Sequence, residues 1–296
     1  MNALRASLVR PAVLGELWTS VEVVETTGST NTDLLARGGP EGQVLVAEEQ
    51  TAGRGRMGRS WVSQPGEALT FSVLLRPVTV PASRRGWLPL LTGIAVATAV
   101  RSAASVAATL KWPNDVLAGD RKLAGILAEQ SGQSGQSGQS GSGAASGDAL
   151  VIGIGLNVTT PSDALPVSPG GLRGTSLLAE GSPMDREPLL VEMLRGFERW
   201  YLPFRADPDP ARTGLLAEYR SLCATLGRHV RVDLPGGRVL SGMAEDVDPD
   251  GRLLIREDAT AGVSPVSAGD VIHLRGPRAA ALIAVSRAMA RETAIK

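Results

Sequence analysis

The spacing of apolar and polar residues changes period several times along the chain, and each change marks an element. Residues 21–25 (Val-Glu-Val-Val-Glu) and 43–48 (Gln-Val-Leu-Val-Ala-Glu) read as strands. Between them Ser29 or Thr30 is placed to cap a short helix carrying Asp33, Leu34 and Leu35. Residues 69–76 are β-like, and residues 87–104 have the length and alanine content of a buried helix. Residues 123–129 and 150–158 read as paired strands. After Pro183 the pattern turns helical over 186–200 and again over 210–223. From Leu226 the period shortens once more. Residues 229–234, 239–247, 253–257 and 271–274 belong to four or five short strands, with Pro-Gly-Gly and Asp-Pro-Asp-Gly turns between them.

This order predicts an α+β fold, with a mixed β-sheet packed by helices over residues 1–224 and a small β-barrel over 225–276. Residues 277–296 read as an alanine-rich amphipathic helix or a frayed tail. Gln-Ser-Gly repeats dominate residues 131–147 and have no apolar surface to bury, so a flexible tip between the paired strands is expected there.

Composition narrows the class. At 296 residues the chain is long enough for one large or two unequal domains. Its 30 lysines and arginines balance 30 aspartates and glutamates, without the basic footprint of a nucleic-acid binder, so no DNA partner is expected. The single cysteine, Cys223, excludes an intrachain disulfide and fits a reducing, cytoplasmic compartment. It reads as a small apolar filler near a helix end. His229 and His273 are far apart in a strand-rich region and do not by themselves define a metal site. No apolar run approaches the roughly 18 residues of a membrane helix, and the N-terminus lacks a signal peptide's apolar core, so no membrane partner is expected.

The most informative stretch is residues 53–61, Gly-Arg-Gly-Arg-Met-Gly-Arg-Ser-Trp. Glycine lets backbone approach a ligand, and arginine brings a planar, multi-donor cation suited to phosphate and carboxylate oxygens. Gly53, Gly55 and Gly58 also spell the dinucleotide fingerprint, but Ser60-Trp61-Val62 and a Gln-Pro-Gly turn follow where a helix is required. No acidic residue lies near positions 73–80, and the Rossmann reading fails on that context. No Walker A motif is present, which excludes a P-loop kinase. Because Arg54, Arg56 and Arg59 sit close together, the loop is expected to be mobile until an anion arrives and to order over it.

Further motifs follow in order: Gly28-Ser29-Thr30-Asn31, Glu49-Gln50, the arginine loop, Lys111-Trp112-Pro113-Asn114-Asp115, Lys122-Leu-Ala-Gly-Ile-Leu127 and Gly153-Ile-Gly-Leu-Asn157-Val158. Across residues 25–160, and more weakly to about 275, the chain closely resembles the biotin protein ligases, also called biotin–[acetyl-CoA-carboxylase] ligases. That resemblance implies a catalytic fold of the class II synthetase-like, biotin and lipoate ligase type with an SH3-like C-terminal domain. Only 28 residues precede Ser29, too few for the helix-turn-helix domain of relatives that double as repressors, so the ligase-only group is expected.

The implied chemistry has two steps: biotin and ATP give biotinyl-5′-AMP, and a lysine of a biotin carboxyl carrier protein or domain then attacks it. Lys122 is the expected central cation, with Arg56 beside it as catalytic. Ser29, Thr30, Asn31, Gln50, Arg54, Gly55, Arg56, Lys122 and Gly125 match biotin-binding positions. Arg54, Arg56, Arg59, Trp61, Lys111, Asn114, Asp115, Lys122 and Asn157 are expected on the ATP or adenylate side. Trp61 is read as an aromatic wall there, with core packing as the alternative. Asn157 is read as a partner of adenine or ribose. Gly125 and Gly155 are expected to let backbone approach the ligand. Mg²⁺ is expected with ATP, and Asp115 either holds it through water or orients Lys111. The rival readings are a lipoate-type protein ligase, which lacks the arginine loop and Lys-Trp-Pro-Asn-Asp as they stand here, and a biotin-binding module without turnover.

Overall fold

A computed structural model of the chain describes residues 3–131, 149–168 and 171–274. Twelve strands and five helices are assigned among them: α1 (Ala6–Val13), β1 (Ser20–Thr27), α2 (Thr30–Arg37), β2 (Gln43–Gln50), β3 (Ala68–Leu75), α3 (Trp87–Ala104), β4 (Ala108–Lys111), β5 (Asp115–Ala118), β6 (Arg121–Gln130), β7 (Leu150–Asn157), α4 (Arg186–Ala206), α5 (Leu215–Leu222), β8 (His229–Asp233), β9 (Val239–Val247), β10 (Leu253–Glu257), β11 (Val263–Val266) and β12 (Asp270–His273). Residues 132–147 of the Gln-Ser-Gly stretch and all of 277–296 lie outside the described residues.

Seven strands form one sheet in the order β1-β2-β3-β7-β6-β5-β4. β1 and β2 run parallel and every other neighbour is antiparallel, so the sheet is mixed, as expected. β3 is buried at every position because both of its faces are covered. α2 packs across β3 and β7 on one face, over a small cluster of Leu34, Leu45, Leu74, Ala149 and Val151. α1, α3 and α4 gather on the other face, where most of the core lies. α3 is long and apolar enough by composition to span a membrane, yet it is mostly buried against the sheet and α4. Gly196 of α4 faces Ala95 of α3, where a Cβ would lie at ordinary contact distance, 3.5 Å, from the Ala95 Cα and Cβ.

The C-terminal strands form a second, antiparallel sheet in the order β11-β10-β9-β8-β12. β11 and β12 are its two edges among the described residues. Two tryptophans, one on α3 and one between β4 and β5, hold the turn between β9 and β10 of this sheet. Trp87 Nε1 donates to Pro249 O (2.8 Å), and Trp112 Nε1 donates to Gly251 O (3.1 Å). The Trp112 backbone N–H donates to Thr225 Oγ1 (3.0 Å), which also faces His273 Nε2 at 3.0 Å. His229 is engaged separately, its Nε2 lying 2.8 Å from Asp258 Oδ1. Cys223 is buried at the end of α5, and burial pushes its thiol pKa up.

Several boundaries differ from expectation. The helix expected over 210–223 is shorter, because Asp209 Oδ1 caps a separate turn at Ala211 and Arg212 and Gly214 at φ +78° breaks the chain before α5 begins. α4 continues past Trp200 and through Pro203, since Tyr201 and Phe204 are buried on its last turns and Tyr201 Oη donates to Glu41. β4, β5, β11 and α1 have no counterpart in the sequence reading. They are short, and α1 depends on distant partners: Leu4 N–H donates to Glu48 Oε1 at 2.6 Å, and Leu17 N–H to Glu198 at 3.0 Å.

Glu48 also accepts from the fully buried Arg186, Nη1 to Oε2 at 2.7 Å. Removing Glu48 takes away the carboxylate that faces this buried guanidinium. Glu48→Ala should therefore cost about 3–5 kcal/mol, read as a lower urea midpoint with the slope unchanged.

Candidate active site

The arginine loop leaves β2 as a tight lasso. Trp61 N–H donates to Gly53 O (2.9 Å) and Gly55 N–H to Arg59 O (2.6 Å), and a single 3-10 turn at Arg56–Gly58 makes the tip. Gly53 is required by this closure, since a Cβ there would sit 2.4 Å from Trp61 O. Met57 at the tip takes left-handed φ/ψ (57°, 38°) and is exposed.

The loop roofs a cavity of about 440 Å³, within the range of ligand pockets. Ser29, Thr30, Asn31 and Gln50 line one part of it, from the start of α2 and the end of β2. Gln50 Oε1 accepts from both Thr30 N–H (2.8 Å) and Thr30 Oγ1 (2.9 Å). Ser72 Oγ lies 2.6 Å from Thr30 Oγ1 and 2.6 Å from Asn31 Oδ1. Asn31 Nδ2 donates to Glu129 Oε2 at 2.8 Å. Gly153 makes room for this amide, because a Cβ would meet Asn31 Oδ1 at 2.4 Å. Ser29 also caps α2, so its structural and lining roles coincide.

Arg54, Arg56, Arg59 and Lys122 line the cavity against two carboxylates, Asp115 and Asp270, leaving a surplus of positive charge suited to an anion. Each arginine nevertheless has an internal partner. Arg54 pairs with Glu129 (3.5 Å), Arg56 donates to Asn114 Oδ1 (3.1 Å) and Arg59 pairs with Asp270 of β12 (2.8 Å). These partners offset the mutual repulsion of the three arginines, and the loop lies over the cavity. Burial pulls the Arg56 guanidinium below its usual pKa, against the opposing pull of Asp115 and Asp270.

Lys122 Nζ lies 2.6 Å from Asp115 Oδ1, and Lys111 Nζ lies 3.4 Å from Asp115 Oδ2. Burial opposes ionisation of Asp115, but Lys122 and Lys111 together hold its carboxyl below the usual range. Both oxygens face ammonium groups, so Asp115 is a partner of both lysines. Lys111 is buried with its Nζ facing Asp115 and is not among the lining residues. Asn157 lines the wall, where one N–H of its Nδ2 donates to Thr175 O (2.9 Å) and leaves the second N–H and Oδ1 for a ligand.

Trp61 lies over the glycines of β6 and β7. A Cβ on Gly155 would sit 2.4 Å from the indole, and one on Gly125 3.4 Å from it. Gly155 therefore admits the tryptophan ring, whereas at Gly125 the nearer neighbours are Cε and Nζ of Lys122, at 3.3 Å. Trp61 Nε1 is buried with no hydrogen-bond partner among the described residues, as is Thr70 Oγ1 on β3, and both residues line the cavity.

Sequence reasoning missed four contributions. Thr70 and Ser72 are polar interruptions in an otherwise apolar, fully buried strand, a signal that was available. Glu129 ends the Lys122–Leu127 motif region without standing out. Pro166–Ser168 with Gly174, and Gly269–Asp270, come from segments whose place at the cavity only folding decides.

A mixed sheet presenting a cation-rich cavity under an arginine loop, beside an antiparallel β domain, defines a protein that handles a small anionic ligand. Comparison with known proteins places it. Residues 21–144 match the biotin/lipoate A/B protein ligase family, and residues 225–274 match the biotin protein ligase C-terminal domain. The chain is 42% identical over 270 residues to the biotin–[acetyl-CoA-carboxylase] ligase of Mycobacterium tuberculosis, covering 88% of this chain and 91% of that protein. It is 35% identical over 251 residues to the ligase of the same name from Paracoccus denitrificans, covering 81% and 96%. The biotin protein ligase of Aquifex aeolicus, solved with biotin and ATP, superposes with a TM-score of 0.69 at 26% identity, covering 88% of this chain and all of that one. The chain belongs to the biotin protein ligase family.

The paired Asp115 carries a testable sign. A carboxyl held below its ordinary pKa contributes stability that is complete above the unfolded-state value and is lost as pH falls through the folded-state value. Asp115→Asn should be less stable than wild type by about 3 kcal/mol at neutral pH, and the gap should shrink as pH drops below the usual carboxylate range. Denaturant midpoints across pH 2 to about 7 for both proteins check this.

Proposed function

We propose that the chain activates biotin with ATP to biotinyl-5′-AMP and pyrophosphate, then transfers the biotinyl group to a lysine of a biotin carboxyl carrier protein or domain. The observation that carries this reading is the two-part lining of one cavity, a neutral polar cradle (Ser29, Thr30, Asn31, Gln50) beside a cluster of cations (Arg54, Arg56, Arg59, Lys122). Biotin has the same two halves, a neutral ureido ring and a carboxylate. The Aquifex aeolicus enzyme was solved with biotin and ATP, and the Mycobacterium tuberculosis relative is named for acetyl-CoA carboxylase, which supports the same substrate pair and a carboxylase-borne acceptor here.

In the first step a biotin carboxylate oxygen attacks the α-phosphorus, and the bond to pyrophosphate breaks. Two anions must meet, so their repulsion has to be offset by charge already in place. Lys122 is assigned that position, aimed by Asp115, with Arg56 beside it and Arg54 and Arg59 on the loop. The loop then shields the reactive anhydride from water. In the second step the acceptor amine attacks the anhydride carbonyl, AMP leaves, and the amine loses a proton. Trp61 Nε1 and Thr70 Oγ1 are buried groups that bound ligand would satisfy. Mg²⁺ enters with the triphosphate, where it keeps most of its water and needs few protein ligands. Asp115, already shared by two lysines, is assigned to them and not to the metal. A cytoplasmic setting is part of the proposal and is supported by the single buried, unpaired cysteine.

Biotin-dependent exchange of pyrophosphate into ATP tests the reading, because a binding module without turnover shows none. Lys122→Ala should lower that exchange by about 10²-fold or more while leaving biotin affinity largely intact, since its charge matters most once two anions meet. Near-normal exchange by the variant would remove Lys122 from its assigned place.

A further inference from the structure

We infer that Glu129 is a positioning residue that couples the polar cradle of the cavity to the arginine loop. The inference rests on the ligand reading above and deepens it. Glu129 stands on β6 and is not itself a lining residue, but its two oxygens hold two groups that are. Oε2 accepts from Asn31 Nδ2 at 2.8 Å, and Oε1 faces Arg54 Nη1 at 3.5 Å.

Behind those two contacts runs a continuous polar chain. Gln50 Oε1 accepts from Thr30, Ser72 Oγ touches both Thr30 and Asn31, and Asn31 passes the chain to Glu129 and so to Arg54. The Asn31 amide has little freedom to turn. Its Nδ2 is shared between Glu129 Oε2 and Leu127 O (3.2 Å), its Oδ1 faces Ser72, and the absent side chain of Gly153 is the only reason it fits.

The Arg54–Glu129 pair by itself is weak. The Arg54 side chain is 55% exposed and that of Glu129 25%, and an ion pair this open to solvent contributes little when both side chains must be ordered to make it. What changes the balance is that Asn31 already aims the carboxylate. A ligand that bonds to the cradle stiffens Thr30 and Asn31, thereby stiffens Glu129, and lowers the cost of holding Arg54 over the cavity. Occupancy at one end of the cavity is then felt by the loop at the other through a shared carboxylate, a coupling between two subsites that must be reciprocal.

Limited trypsin digestion of the full chain reads this directly, because Arg54, Arg56 and Arg59 are cleavage points in the loop. Arg238, in the exposed Pro-Gly-Gly-Arg turn of the C-terminal sheet, is an internal reference that general destabilisation would affect equally. Each protein is digested alone and with biotin at a concentration shown by calorimetry to saturate it. In the wild type, biotin should slow loop cleavage about fivefold or more relative to Arg238. Glu129→Gln keeps the shape and an acceptor for Asn31 but no charge for Arg54. It should lose that protection and, because the coupling is reciprocal, bind biotin about fivefold more weakly, while Glu129→Asp should recover part of both. Full biotin-dependent protection in Glu129→Gln overturns the coupling. So does a wild type that binds biotin with no change in loop cleavage, an outcome that leaves the proposed function standing. A wild type that fails to bind biotin removes both.

Discussion

The carboxylate of Asp115, 2.6 Å from Lys122 and 3.4 Å from Lys111, is the contact on which the charge arrangement of the cavity depends. A site that must receive two anions needs several cations close together, and such a cluster is unstable in a half-buried setting unless counter-charges are built in. The protein solves this one cation at a time. Lys122 and Lys111 share Asp115, Arg54 takes Glu129, Arg56 takes the Asn114 amide and Arg59 takes Asp270. None of these partners consumes the whole cation, because lysine has three donors and arginine five. The cations are therefore oriented without being closed to a ligand.

That arrangement rests in turn on how the hairpin between β4 and β5 is held. Asn114 and Asp115 follow Trp112 and Pro113, and the Trp112 indole and backbone N–H both donate into the C-terminal part of the chain, at Gly251 and Thr225. Asn114 is fixed on its other side by Ile126, accepting the Ile126 N–H through its backbone carbonyl and donating its side-chain amide to Ile126 O. The hairpin that carries two groups of the site is thus clamped between β6 and the second sheet. Asp270 reaches the cavity from that same second sheet. The C-terminal sheet is therefore part of the site's construction and not only an appendage to it.

The family and most of the lining were legible in the sequence because glycine, arginine and lysine at fixed spacing in a loop signal close backbone approach and anion handling on their own. Lys111 and Asn157 illustrate the limit. Both stand inside motifs that lead to the site, yet Lys111 is buried against Asp115, whereas Asn157 lines the cavity while also donating to Thr175 O. A motif marks a stretch of chain as belonging to a site. It does not say which side chains of that stretch face the ligand and which hold the ones that do. Glu129 and Ser72 show the converse, because a single polar residue on a strand looks ordinary until its neighbours across the sheet are known.

What the sequence by itself determined is local. The α+β order of elements, the buried helix over 87–104, the paired strands flanking the Gln-Ser-Gly stretch and the lasso-forming glycines of the arginine loop all follow from periodicity and from short-range sterics. Only the tertiary structure decided the partners: that Arg59 would meet Asp270, more than two hundred positions away, that Trp61 would lie on Gly155, and that Trp112 would be anchored by Thr225 and Gly251. The physical reason is range. Propensity and periodicity report interactions within a turn or a strand, whereas the charge balance of this cavity is set by groups brought together from distant elements, whose distances exist only once the core has packed.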